Sequence, residues 1–220
     1  WTIGSNLTIP TRIVAHISRG AMLTPSSGIT LTFNTCPVAG IYQIFDADES
    51  STGSVRLNDC DVVQATWWDT LKAGNVQPEV QAAVNGSQGN NGELHFATHN
   101  YGLTGRVDVT DSICVVGQGR GNTIFTRLRF DSGDDVFRLD GVTGFCFRDF
   151  EIDGDDPTTH DTVSGNGEGI RLEHSKNGTI ERTYIHDMGL DCIVARGDGT
   201  TGPTVFSSEI TIRDNECYHN

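Results

Sequence analysis

Between Phe137 and Asn220 the sequence repeats itself at a fixed distance. FRLDGVTGFCFRDFEIDG, beginning at Phe137, aligns without a gap on IRLEHSKNGTIERTYIHD, beginning at Ile170, an offset of 170 − 137 = 33. Arg138 matches Arg171, Leu139 matches Leu172 and Ile152 matches Ile185. Phe137 over Ile170 and Phe147 over Ile180 stay apolar, and Asp140 over Glu173 stays acidic. The column holding Phe147 and Ile180 extends upstream to Val115 and downstream to Ile212, in steps of 32, 33 and 32, so four units are visible. Inside each unit the apolar residues fall closer to a period of two than of 3.6. Segments such as GTIERTYIHD and SEITIRDNEC are β-branched and carry no i, i+4, i+7 stripe. One such unit cannot bury its inward residues alone and has to stack on its neighbours. At about 3.3 Å per strand residue, three short strands joined by Gly, Asn and Asp corners close into one turn, which predicts a parallel β-helix. Val115, Phe147, Ile180 and Ile212 are then one inward column, and Ile152, Ile185 and Cys217 another.

The composition narrows the partners. A chain of 220 residues with a formal charge of −14 repels a phosphate backbone, and its 15 Lys and Arg are scattered, so nucleic acid is not an expected partner. No 18-residue apolar run exists, so no membrane span is expected. Six cysteines show no CxxC or Cys/His metal spacing, and their even number suits disulfides in an oxidising, extracellular compartment. Cys36 with Cys60 is the favoured pair, because loops reach disulfide geometry more freely than facing strands. Cys114 and Cys146, 32 apart and on the opposite parity from Ile113 and Phe145, come second. Cys217 is expected to be buried. The chain opens at Trp1 and closes at Asn220 part-way through a unit, so a processed product lacking a C-terminal portion is expected.

Residues 1–66 read as an N-terminal β cap, with β-like runs at Leu7 to Pro10, Arg12 to Ile17, Ile29 to Phe33 and Gly40 to Phe45 separated by Pro, Ser and Gly. Residues 67–220 read as the β-helix. Trp67 and Trp68 at the junction are expected to fill the core. One short helix is predicted over Val76 to Val84, with Asn75 as its cap and Gly86 as its stop, covering the end of the first coil.

The order of Trp67-Trp68, a short helix, a Gly/Asn loop, a β run ending in Asn100-Tyr101 and then Val115-Val116-Gly117-Gln118-Gly119 resembles the N-terminal part of the pectate-lyase-like superfamily. The resemblance covers roughly Trp67 to Asn220. It implies a right-handed parallel β-helix of the kind found in secreted carbohydrate-active proteins and phage tailspikes, with a polysaccharide as partner and a homotrimer or larger assembly as one arrangement. The chain lacks the acidic "GAKGDGVTDDT"-like stretch that many relatives carry after the Trp pair; Asp69 to Asn75 stands there instead.

The richest polar ground is Glu151 to Asp156, His186 to Asp191, and Arg213, Asp214 and His219. The 33-residue register sets Asp153 under His186 and Tyr218, about 4.8 Å apart along one outer corner. Glycoside hydrolysis needs two carboxylates about 5 to 9 Å apart, which Asp187 with Asp191 or Asp153 could supply. Gly189-Leu190-Asp191-Cys192 is similar to the "GDDC" segment of polygalacturonases with Leu190 in place of one Asp, and no "GHG" or "RIK" partner accompanies it. Lyase chemistry would instead use Ca2+ held by Asp153, Asp155 and Asp156, with Arg171 or Arg196 taking the proton. Arg171, His186, Arg196 and His219 are the candidate substrate-binding residues. Three functions stay open: a polysaccharide lyase or hydrolase, a glycan-binding spike without turnover, and a structural element of a larger assembly.

Overall fold

The computed structural model describes residues 1–47, 53–89, 92–128, 135–154, 167–196 and 207–218. Within them the chain is all-β apart from one α-helix and one turn of 3-10 helix, and every strand pair is parallel. The pairing follows the repeat. Val115 lies against Phe147, Phe147 against Ile180 and Ile180 against Ile212. In a second row Tyr101, Phe125, Ile152, Ile185 and Cys217 succeed one another. A separate four-stranded sheet stacks Val107, Phe137, Ile170 and Ile193, and there the last step shortens to 193 − 170 = 23.

The inward columns are buried where a strand covers them on both sides. Phe147, Ile180, Phe125, Ile152 and Ile185 are fully enclosed, and each such side chain contributes about 1.5–3 kcal/mol relative to exposure. Ile212 keeps the predicted register yet is 50% exposed. Cys217 sits opposite Ile185 as expected but is exposed, not buried, because its strand, Glu216–Tyr218, is an edge among the described residues.

The long strands Thr143–Asp153 and Lys176–His186 bend in the middle. Asp149 and Arg182 take left-handed backbone angles, φ 62° and 51°, and the pairing skips them. The skip changes which parity faces in, so that Phe145 and Phe147 before the corner and Phe150 and Ile152 after it all enter the core. Asp214, φ 56°, repeats the corner one step later. Arg182 donates to both carboxylate oxygens of Asp149 at 2.7 and 2.9 Å, tying successive corners together. At Gly117, one step earlier, a Cβ would fall 2.2 Å from the Asp149 carbonyl oxygen.

The N-terminal segment stacks as well, on a shorter period that the sequence reading missed. Leu7, Leu31 and Val55 pair in succession, as do Ile9, Phe33 and Leu57, each 24 residues apart. LTFNTC at Leu31 and VRLNDC at Val55 share their Asn and Cys; Asn58 donates to Asn34 at 2.8 Å, and Cys36 and Cys60 form a disulfide. Cys114 and Cys146, directly across from each other, form the second. The expected strands at 12–17 and 40–45 reduce to single bridges, His16 to Val38 and Leu23 to Phe45. Ile13, Val14 and Ile41 remain exposed, so these runs have no second face to bury.

The helix spans Gln77–Ser87, longer than predicted. Val76, Val80, Ala83 and Val84 are fully buried, and Asn75 accepts the Gln77 N–H at 3.0 Å. Gly86 does not stop it. That residue lies inside the helix, where a Cβ would sit 2.6 Å from the Trp68 ring and 3.0 Å from the Val55 carbonyl oxygen. The helix touches the Ser54–Leu57 strand on one side and the Val107–Val109 strand on the other, so it occupies a place between two sheet edges. Its glutamine side chains stand in for a neighbouring strand. Gln81 accepts the Asp108 N–H at 2.7 Å and donates to the Asp108 carbonyl at 2.8 Å; Gln77 donates to the Arg106 carbonyl and Gln88 accepts from Thr110. Trp67 and Trp68 are buried as expected, and one contiguous core runs from Ile17 to Cys192.

Gly86→Ala should lower the thermal midpoint. Alanine is the better helix former by about 0.8–1.0 kcal/mol, but overpacking against Trp68 costs about 1–3 kcal/mol. A raised midpoint in a thermal melt would show that Trp68 yields to the methyl group. Alkylation in denaturant without reductant should label two thiols, Cys192 and Cys217, with all six labelled only after reduction, as read by intact mass.

Candidate functional site

Beyond the corner, inward Phe150, Ile152 and Ile185 leave the alternate residues facing out. Register then sets Glu151, Tyr184 and Glu216 in one outward row, and Asp153, His186 and Tyr218 in the next, as the repeat predicts for the latter. Asp187 follows His186 in a left-handed conformation, φ 54°, and Gly154 beneath it has room only for hydrogen, since a Cβ would lie 1.8 Å from the Asp187 carbonyl oxygen.

These rows converge on His186. Its Nδ1 is 2.7 Å from Asp187 Oδ2 and 3.9 Å from Asp153 Oδ1, while Nε2 is 3.1 Å from Glu151 Oε1. Glu151 Oε2 in turn accepts the Gly121 N–H at 2.9 Å. Burial by itself disfavours the imidazolium, but hydrogen bonds to Asp187 and Glu151 and the charge of Asp153 outweigh it, so the histidine is held above its ordinary value. The Tyr184 ring lies 4.7 Å from the imidazole, and the Arg120 guanidinium sits 3.4 Å from the Tyr184 centroid while pairing with Glu216 at 2.9 Å. The arrangement presents carboxylates, an imidazole and aromatic rings in a row on a half-exposed face.

Asp153, His186 and Asp187 are therefore brought together, whereas other candidates go elsewhere. The carboxylate of Asp191 makes no contact among the described residues; its backbone carbonyl accepts the Gly169 N–H on the way into the four-stranded sheet. Arg171 and Arg196 belong to that sheet too, whereas Asp153 ends a strand of the larger sheet. Arg171 pairs with Glu173 and lies 3.8 Å from Asp135 and 4.0 Å from Glu168, and Arg196 pairs with Glu168. Arg138 lies against Arg171, as their match in the repeat predicts, and both pair with Glu173, while Asp140 pairs with His174. Asp155, Asp156 and His219 lie outside the described residues. Among the described residues the donors gathered around Asp153 include an imidazole nitrogen.

Glu151 lay within the polar ground read from the sequence but had no role there, and two features escaped that reading. Tyr184 is the outward neighbour of His186, legible once the corner parity is known. The second is Asp135 and Glu168, each 1% exposed and 168 − 135 = 33 residues apart. Their signal was an acid two residues ahead of the matched FRLD and IRLE segments. Glu168 N–H donates to Asp135 Oδ1 at 3.3 Å. Burial first, then the Glu168 carboxylate, push the Asp135 carboxyl up to about 7, against the pull of the Glu168 N–H and Arg171. Glu173, bridged by Arg138 and Arg171, is held below its ordinary value despite burial.

No family model, curated protein or solved structure matches the chain.

Asp135 has its folded value raised from 3.8 to about 7, so the stability it contributes is present below pH 3.8 and is lost as pH rises through about 7. Asp135→Asn should flatten that part of the thermal-midpoint profile. A variant retaining the full wild-type slope over this window would assign the slope to other groups.

Proposed function

We propose that this chain is a right-handed parallel β-helix, with residues 1–66 and the helix as its N-terminal cap, that recognises a polysaccharide outside the cell. The reading rests on one observation: the outward rows Glu151–Tyr184–Glu216 and Asp153–His186–Tyr218 repeat hydrogen-bonding and aromatic groups along the direction in which the strands stack. A row with a period of about 4.8 Å matches an extended polymer, whereas a small molecule would favour an enclosed pocket. Tyr218 is half-exposed and gives a sugar face a surface to lie on, while the Tyr184 ring beside it carries the Arg120 guanidinium. Carboxylates at 151, 153, 187 and 216 accept from hydroxyls and, with a net charge of −14, favour neutral or cationic sugars. Two disulfides fit an oxidising compartment. No helix among the described residues is long and apolar enough to cross a membrane. The Trp67 to Gly119 resemblance to the pectate-lyase-like superfamily points the same way.

Recognition comes ahead of turnover in this reading, because the Asp191 carboxylate makes no hydrogen bond or ion pair with the His186 cluster among the described residues. Cleavage, as in a lyase or hydrolase, would fall to Asp153 and Asp187.

Screening the whole chain on a glycan array should give hits among neutral or amino-bearing polysaccharides. Tyr218→Ala, which removes an exposed ring contact, and Tyr184→Ala, which releases Arg120 from its ring, should each weaken binding roughly 3- to 10-fold, and product analysis with Asp187→Asn tests cleavage. An array without hits, or tyrosine variants that bind as wild type, would overturn the reading.

A further inference from the structure

The carboxylates around His186 are arranged as metal ligands are. One ligand atom from each of Asp153, His186 and Asp187 lies within 4.8 Å of the others. Around a tetrahedral ion with bonds of about 2.0–2.2 Å, ligand atoms stand about 3.4 Å apart. The three therefore need only small side-chain rotations to close on one ion. Both aspartates approach the same ring nitrogen, Nδ1, at 2.7 and 3.9 Å.

A second, independent observation concerns the other ring nitrogen. Nε2 is engaged by Glu151, whose remaining oxygen is fixed by the Gly121 N–H. A carboxylate behind the far nitrogen of a histidine is the arrangement that orients the ring and sets its tautomer in metal centres. Three carboxylates also converge on one imidazole, an excess of negative charge that a divalent cation neutralises. The face is partly open, leaving room for water or a ligand oxygen to complete the coordination.

We propose that Asp153, His186 and Asp187 bind a divalent transition-class ion, of which Zn2+ is the type, with Glu151 as the positioning residue. One nitrogen and two carboxylate donors suit such an ion, whereas Ca2+ takes six to eight oxygens. The inference does not depend on the polysaccharide reading, since the ion is measured without any glycan.

The test is Zn2+ titration of the metal-stripped whole chain by calorimetry, with the exposed Cys217 alkylated beforehand. One equivalent should bind and raise the thermal midpoint. Asp153→Asn and His186→Ala should lose binding at least 10-fold and lose the midpoint shift, and Glu151→Gln should bind roughly 10- to 100-fold more weakly at unchanged stoichiometry. Asp153→Asn keeps the shape of the site, so it serves where His186→Ala does not fold. Absence of Zn2+ binding in the wild-type chain, retention of full affinity in Asp153→Asn, or equal competition by Ca2+ would each overturn the proposal.

Discussion

Parallel pairing in register is the constraint on which everything else rests. From Val115 to Ile212, and from Ile152 to Cys217, each strand lies against one 32 or 33 residues away, so the side chain at one position has a fixed partner above and below it. Because side chains alternate with period two, a slip of one residue would send Phe147 and Ile180 to solvent and bring Arg148 and Glu181 inward. The core is thus specified by whole columns. Where a large residue stands in one strand, its neighbour gives way: the Phe145 ring fills the space over Gly178, where a Cβ would lie 1.9 Å from it.

The corners carry as much of the specification as the strands. Asp149, Arg182 and Asp214 share one left-handed position in successive units, and each lets the strand change inward parity. Asn215 fastens one of these corners by accepting from both the Thr183 N–H and its hydroxyl and by donating to the Ile180 carbonyl. The outward rows at His186 exist because of that parity change. Without it Glu151 and Asp153 would point into a core of phenylalanines.

A parallel stack leaves unpaired strand edges, and the helix answers this at the Val107–Val109 strand. A row of glutamine amides completes the hydrogen bonding of the Val107–Val109 strand while the apolar face packs into the core. The 24-residue spacing of the Leu7, Leu31 and Val55 strands and the 32- to 33-residue spacing that runs from Val115 to Ile212 therefore lie on either side of an element that need not match either.

The columns through Phe147 and Ile152 were legible in the sequence, since matched apolar residues at a constant offset can be buried together in only one register. Asp153 over His186 followed from the same arithmetic, while the burial of the two tryptophans followed from their large apolar surface. The 24-residue repeat went unread because few of its positions keep their residue type, and Asn34 with Asn58 makes sense only when the two amides touch. Tertiary structure decided the rest. Offsets along a chain say which residues share a column but not which sheet a column joins, so only the fold separates Arg171 and Arg196 from Asp153. The raised pKa values of His186 and Asp135 were likewise decided in three dimensions, because each depends on how far water is excluded and on which charged groups other strands bring within a few ångströms.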